Sequence, residues 1–275
     1  MNDLEIAQYA ARRGAAVLLH HWETLGKEDA DLKSRNDWVS AADRESEQAI
    51  VDAIREHRPG DAFLGEETGM TAGTSADRVW IIDPLDGTSN YLQHFPMWCV
   101  SIALRERGET TTAMIHEPLR DLFFTGVRGG GAFRNGERMH VSTHEAVEGS
   151  FLATGFPFRA QEYVESYVAI FTDVIRVSKG VRRAGSAALD LAYTAAGVFD
   201  GFFEMHLAPW DVAAGALLVT EAGGIVTDFS GGQRWLDRGN IVGATPKVHA
   251  ELMEVIGRHV TEEDLDHRKG TRLGV

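Results

Sequence analysis

Val79-Trp80-Ile81-Ile82-Asp83-Pro84-Leu85-Asp86-Gly87-Thr88 is the stretch on which the reading of this chain turns. Four consecutive apolar residues, β-branched or aromatic, predict a buried strand. Proline withholds the N–H that a strand ladder needs, so regular pairing is expected to stop near Pro84. A turn through Asp86-Gly87 would then swing a second carboxylate and the Leu85 carbonyl toward Asp83. Glu66-Glu67 upstream and Trp210-Asp211 far downstream add further acids. The expectation is several carboxylates converging where a buried strand ends, a donor set suited to Mg²⁺, which prefers oxygen ligands and shares them with substrate phosphates.

Working outward, Leu4, Ala7, Ala11, Ala15, Leu18 and Trp22 recur at helical spacing and predict a helix from about Asp3 to Thr24. A second helix is predicted from Ser40, with Ser40-x-x-Asp43 close to a capping box, and Pro59-Gly60 beyond its end. Glu66-Glu67 are placed in a loop. From Cys99, apolar runs separated by Arg107-Gly108, Pro118 to Asp121 and Gly129-Gly130-Gly131 predict antiparallel strands, and Asn135-Gly136 predicts a tight hairpin. After Gly149 strands and helices alternate, with helices near 160–177, 187–196, 212–222 and 246–258. The fold class expected is α/β: an α+β N-terminal half over 1–148, an α/β half over 149–260 completing the site, and a charged tail over 261–275.

With 275 residues, 44% hydrophobic and 25% charged, the chain has the composition of a globular protein with a sizeable core. Its net charge of −14 opposes direct binding to nucleic acid or an anionic membrane and favours cations. One cysteine, Cys99, allows no internal disulfide, and Ala15 to Leu19 is too short to span a membrane, so a cytoplasmic protein is expected. His140 and His144 stand four apart without a third ligand, which argues against zinc. Gly126-x-x-Gly129-Gly130-Gly131 lacks the strand-to-helix context of a dinucleotide loop and reads as a turn. Phe95-Pro96-Met97-Trp98 reads as core packing.

Each acid also has a purely structural reading. Asp83 and Asp86 could form a polar turn, Glu66 and Glu67 solvated loop charges, Asp43 a capping residue and Asp211 a helix-start acid beside the dipole. Thr88-Ser89-Asn90 could cap the next helix and offer its N–H groups to a phosphate.

Taken together, Gly65-Glu66-Glu67, Trp80 through Asn90, and Pro209-Trp210-Asp211-Val212-Ala213-Ala214-Gly215 resemble the three signatures of the inositol monophosphatase family. Lys33-Ser34, Asn36-Asp37 and Ala42-Asp43 resemble its first segment. Ala153 to Phe158 and Arg182 to Ala192 resemble its bacterial, extragenic-suppressor branch. The resemblance implies a layered αβαβα sandwich, Mg²⁺ dependence, lithium sensitivity and often a homodimer. It assigns Glu66, Asp83 and the Leu85 carbonyl to one ion, and Asp83, Asp86 and Asp211 to a second. Catalytic roles fall on Glu66 and Thr88, backed by Asp43. Substrate contacts fall on Asp86, Gly87, Thr88, Gly185, Ser186, Ala187, Glu204 and Asp211, with Arg182 or Arg183 reaching in. Hydrolysis of myo-inositol 1-phosphate or a similar small polyol phosphate is implied, with histidinol phosphate, fructose 1,6-bisphosphate or a nucleotide phosphate as alternatives. Members of this branch also suggest a second role beside RNA synthesis machinery. Ser89, and Met205 to Ala208 before Pro209, depart from the familiar pattern.

Overall fold

The computed structural model describes residues 1–22, 30–34, 37–75, 77–158 and 160–261. Of the features read from the sequence, Thr24, Asn36 and the tail beyond Thr261 lie outside these residues.

The run at Val79 becomes β5 (Arg78–Asp86). It sits in an eight-stranded sheet with β3 (Ala62–Gly65), β4 (Gly69–Thr71), β6 (Cys99–Glu106), β7 (Glu109–Glu117), β8 (Leu122–Val127), β9 (Gly131–Arg134) and β10 (Glu137–Arg138). The order is β10-β9-β8-β7-β6-β5-β3-β4, and only β3 and β5 pair in parallel. Both faces are buried, which is why these strands are apolar on successive residues. Trp80, Ile82, Ile102 and Met114 pack beneath α1 (Asp3–Trp22) and α2 (Ala41–Arg55). Val79, Ile81, Ala113 and Ile115 face the opposite layer.

That layer is α5 (Ala187–Ala195) and α6 (Pro209–Glu221), buried along nearly their whole lengths, as expected of helices apolar all round. They are enclosed from the other side by a five-stranded sheet of β11 (Phe151–Thr154), β12 (Gly180–Arg182), β13 (Gly201–Met205), β14 (Ile225–Thr227) and β15 (Asn240–Ala244). Its order is β12-β11-β13-β15-β14, parallel across the first three strands and antiparallel beyond. The outer face of this sheet packs Leu152, Phe203 and Val242 against α4 (Val164–Val177) and α8 (Pro246–Gly257) through Tyr167, Ile170, Val248 and Leu252. Helices, sheet, helices, sheet, helices form the layered αβαβα sandwich. Outside the layers lie the antiparallel ribbon β1 (Ala30–Ser34) and β2 (Asp37–Ser40), and two short helices, α3 (Thr88–Leu92) and α7 (Trp235–Arg238).

Asn135 and Gly136 both adopt positive φ, 49° and 84°, as the hairpin between β9 and β10 requires. Other expectations need correction. β1, β2, β3, β4, β12 and α7 were not anticipated; each has five or fewer residues, too few to display a period. α6 begins at Pro209, three residues earlier than expected, because proline is well suited to a first helical position. Pairing does not stop at Pro84 either: β5 resumes its ladder with β6 at Asp86. Of the aromatic cluster, Trp98 is fully buried whereas Phe95 is half exposed.

Candidate active site

The interruption in β5 builds the site. Asp83 pairs with Ser101 and Asp86 with Cys99, so three steps on one strand match two on the other. In a regular strand residues three apart point to opposite faces; one extra residue brings them to the same face. Pro84, which has no N–H to donate, occupies the bulge, and Asp83 Oδ1 accepts the Leu85 N–H at 3.0 Å.

Asp86 is anchored from across the chain. Its Oδ2 accepts hydrogen bonds from Ser186 Oγ and Ala188 N, both at 2.7 Å, where the buried Ser186 caps α5. Asp211 occupies the third position of α6 and its carboxylate accepts the Ala208 N–H at 2.5 Å, so its helix-start reading holds structurally. These anchors bring one carboxylate oxygen from each of Asp83, Asp86 and Asp211 within 4.8 Å of one another.

A cavity of about 460 Å³ opens over this triad. Its lining includes Glu66 from the turn after β3, Leu85, Gly87 and Thr88 from the end of β5 and the start of α3, Gly185, Ser186 and Ala187 from the start of α5, and Glu204 from β13. Thr88 does not cap α3: Gly87, at φ 98°, holds the cap position, and the Thr88 hydroxyl donates to the Leu85 carbonyl at 3.1 Å. Asn90 donates to the Met97 and Ala184 carbonyls, at 2.6 and 2.8 Å, tying α3 to the Arg183–Gly185 segment. Asp43 is 1% exposed, in the first turn of α2, and lies behind the lining. Of the two arginines, Arg183 lines the cavity, stacked on Phe158 with 5.1 Å to the ring centroid. Arg182 instead lies over Phe151 at the sheet edge, its guanidinium 4.6 Å from the ring centroid.

The electrostatics are those of acids gathered without enough positive charge. Burial first, then Glu66, Asp86, Asp211 and Asp43, push the Asp83 carboxyl well above its ordinary value. Asp86 is pushed up to about 7 by burial and by Asp211, against the pull of its Ser186 and Ala188 hydrogen bonds. Glu204 is pushed up to about 8 by burial, with Arg183 opposing.

A sequence profile of the inositol monophosphatase family matches residues 2–262. The chain belongs to the inositol monophosphatase family. It is 46% identical over 245 residues to the Nus factor SuhB of Escherichia coli K12, covering 89% of this chain and 92% of that one. The Nus factor SuhB of Pseudomonas aeruginosa is 42% identical over 261 residues, 94% and 96% of the two chains. Among solved structures, the extragenic suppressor protein suhB of Bartonella henselae superposes with a TM-score of 0.89 at 37% identity, covering 93% of this chain and 98% of that one. The inositol monophosphatase of Anabaena (Nostoc) gives 0.83 at 36%, covering 94% and 97%.

Membership of the inositol monophosphatase family supports phosphatase chemistry and implies Mg²⁺, and the donor set fits that ion. The triad offers hard anionic oxygens, and Arg183 is the one lysine or arginine among the described residues lining the cavity. Like charges packed this closely are relieved either by taking up protons, the direction in which Asp83 and Asp86 are shifted, or by a cation held among them. No helix among the described residues is long and apolar enough to cross a membrane.

Two further residues shape the inositol monophosphatase site and escaped the sequence reading. Glu47, 1% exposed on α2, accepts the Glu67 and Thr68 N–H groups at 2.9 Å each and so holds the loop that carries Glu66. The only hint was its position four residues after Asp43, on the same helix face. Gly155 abuts the Glu204 carboxylate so closely that an added Cβ would overlap it. Nothing local in the sequence marks that encounter.

Proposed function

We propose that this protein is a Mg²⁺-dependent phosphomonoesterase that hydrolyses myo-inositol 1-phosphate or a similar small polyol phosphate. The observation that carries this reading is the convergence of Asp83, Asp86 and Asp211 within 4.8 Å at the floor of a cavity, joined there by Glu66 and Thr88. Glu66, Asp83 and the Leu85 carbonyl would hold one ion, and Asp83, Asp86 and Asp211 a second. Bound there, Mg²⁺ supplies positive charge for the phosphate and leaving-group oxygens and makes water acidic enough to attack near neutral pH. The chain's own groups do the rest. The Thr88 hydroxyl, its proton committed to the Leu85 carbonyl, keeps oxygen lone pairs with which to accept a hydrogen bond from water. Glu66 serves as the partner base, backed by Asp43. Ser186 and the α5 N–H groups fix Asp86 so that it need not reorganise as charge develops.

Two other lining residues, Glu204 and Arg183, support a polyol. Glu204, pushed up to about 8, offers both donor and acceptor capacity to sugar hydroxyls near neutral pH. Arg183, exposed and stacked on Phe158, offers a cation among the lining residues. Phosphate release should be measured on inositol 1-phosphate, histidinol phosphate, fructose 1,6-bisphosphate and nucleotide monophosphates, with and without Mg²⁺. The reading expects Mg²⁺-dependent release that is fastest on inositol 1-phosphate. A preference for histidinol phosphate overturns the substrate; no release from any substrate overturns the activity.

The name Nus factor carried by relatives 42% and 46% identical supports a second reading, a role alongside transcription machinery. With a net charge of −14 such a role would run through protein partners rather than direct nucleic-acid contact. An Asp83→Asn variant separates the two, since it should abolish phosphate release and leave a protein-mediated role in place.

A further inference from the structure

Glu66 lines the cavity but stands outside the tight triad of Asp83, Asp86 and Asp211. Whether its carboxylate reaches an ion shared with Asp83 depends on where its loop is held. Residues 66–68 form the turn between β3 and β4, whose pairing ends at Gly65 opposite Gly69. On the strand side the Glu66 N–H donates to the Ile82 carbonyl at 3.2 Å, next to Asp83. On the other side the turn is gripped by Glu47: Oε2 accepts the Glu67 N–H and Oε1 the Thr68 N–H, each at 2.9 Å. Both oxygens of a buried carboxylate are thus spent on successive amides of one turn. Hydrogen bonds to an ionised acceptor are about twice as strong as neutral ones.

Gly65 completes the fit. A Cβ added there would stand 2.5 Å from the Glu47 carboxyl carbon, and Gly65 has no left-handed backbone to explain it. The glycine is required by the space the carboxylate occupies. Glu47 itself does not line the cavity.

We propose that Glu47 is a positioning residue that sets Mg²⁺ affinity by holding the Glu66 loop against the end of β5. The proposal rests on the metal-dependent phosphatase reading, and its test is built to fail separately from it. Mg²⁺ binding is measured by calorimetry without substrate, together with the rise in melting temperature on adding Mg²⁺. Glu47→Gln keeps an oxygen acceptor but sets an NH₂ against a backbone donor; Glu47→Ala loses both bonds. Substitutions in the outer shell of a metal site weaken binding by about 10–100-fold. That range is expected for Glu47→Ala, with a smaller loss for Glu47→Gln, and turnover should recover in part when Mg²⁺ is raised. Gly65→Ala, which crowds the same carboxylate from the loop side, should weaken binding in the same sense and decides the matter with Glu47→Gln if Glu47→Ala does not fold. Folded Glu47→Gln and Gly65→Ala proteins that bind Mg²⁺ as tightly as the wild type would leave Glu47 a hairpin staple and overturn the proposal. A wild type that takes up no Mg²⁺ would instead overturn the reading beneath it.

Discussion

Replacing Asp83 by asparagine should make the metal-free protein more stable and the enzyme inactive. The side chain keeps its volume, and its oxygen still accepts the Leu85 N–H. What disappears is one negative charge from a site where Glu66, Asp86, Asp211 and Asp43 all disfavour it. Two full charges at the 4.8 Å limit of the triad repel by about 3 kcal/mol at an effective dielectric constant of about 20. Because burial and its acidic neighbours already disfavour the charged Asp83 carboxyl and push Asp86 up to about 7, part of that repulsion is relieved before the substitution and the net gain should be about 1–3 kcal/mol. For a chain of this size that raises the melting temperature by roughly 2–6 °C at pH 8 without Mg²⁺. Adding Mg²⁺ reverses the ranking: the wild type gains about 4.1 kcal/mol at about a thousand times its dissociation constant, and the variant gains little. Losing a ligand shared by two ions should cost about 10³-fold or more in turnover, about 4 kcal/mol of barrier. Thermal melts at pH 8 with and without Mg²⁺, beside a phosphate-release assay, read all three effects. A variant that melts below the wild type without Mg²⁺, like an ordinary core substitution, would refute the view that these acids are crowded. One that still gains stability from Mg²⁺ and turns over would refute the ligand assignment.

Gly155→Ala should press on the Glu204 carboxylate and raise KM for polyol phosphates by about 10-fold, leaving Mg²⁺ affinity unchanged; an unchanged KM would mean that Glu204 does not touch substrate. Arg78 binds Asp61, Asp3 and Glu106 at the opposite end of β5, and Asp61 is 5% exposed. Arg78→Met should therefore cost about 2–3 kcal/mol in urea unfolding, because it leaves the buried Asp61 with its Trp80 hydrogen bond but without its counter-charge. His116 is 4% exposed, stacked 3.9 Å from Phe123, and burial lowers it to about 4 from 6.5. The unfolded chain then takes up a proton that the folded one refuses, so this residue removes stability as pH falls from 6.5 to about 4, by about 3 kcal/mol in all. His116→Phe should gain that much relative to wild type between pH 7 and pH 4 in urea melts, and a constant difference would discount the shift.

What the sequence made legible was whatever its chemistry marks locally. The apolar run at Val79, the Asn135-Gly136 turn and the all-round apolar helices α5 and α6 each announce one outcome, because period, turn geometry and burial act within a few residues. The acids at Asp83, Asp86 and Asp211 stood out for the same reason: carboxylates directly after apolar runs need a purpose. Less legible was anything settled by a meeting of distant segments. Arg182 and Arg183 are adjacent and chemically identical, yet only the register of β12 beside β11 decides that Arg182 lies over Phe151 while Arg183 turns to the cavity. Thr88 looked like a helix cap, but Gly87 had already taken that position and freed the hydroxyl for the Leu85 carbonyl.

The bulge at Pro84 ties these observations to one cause. An uninterrupted strand would have sent Asp83 and Asp86 to opposite faces, one toward α1 and α2 and the other toward α5. Only Asp83 would then face Asp211 on α6, and the two strand acids could not share an ion with it. A proline at that point removes a ladder donor, the ladder slips by one residue, and both acids emerge on the face where α5 and α6 begin. Ser186 and Ala188 at the start of α5 then hold Asp86, and the first turn of α6 holds Asp211. The sandwich thus gathers its charges by starting two buried helices beside one irregular strand end, and the like-charge crowding that results is what a divalent cation would relieve.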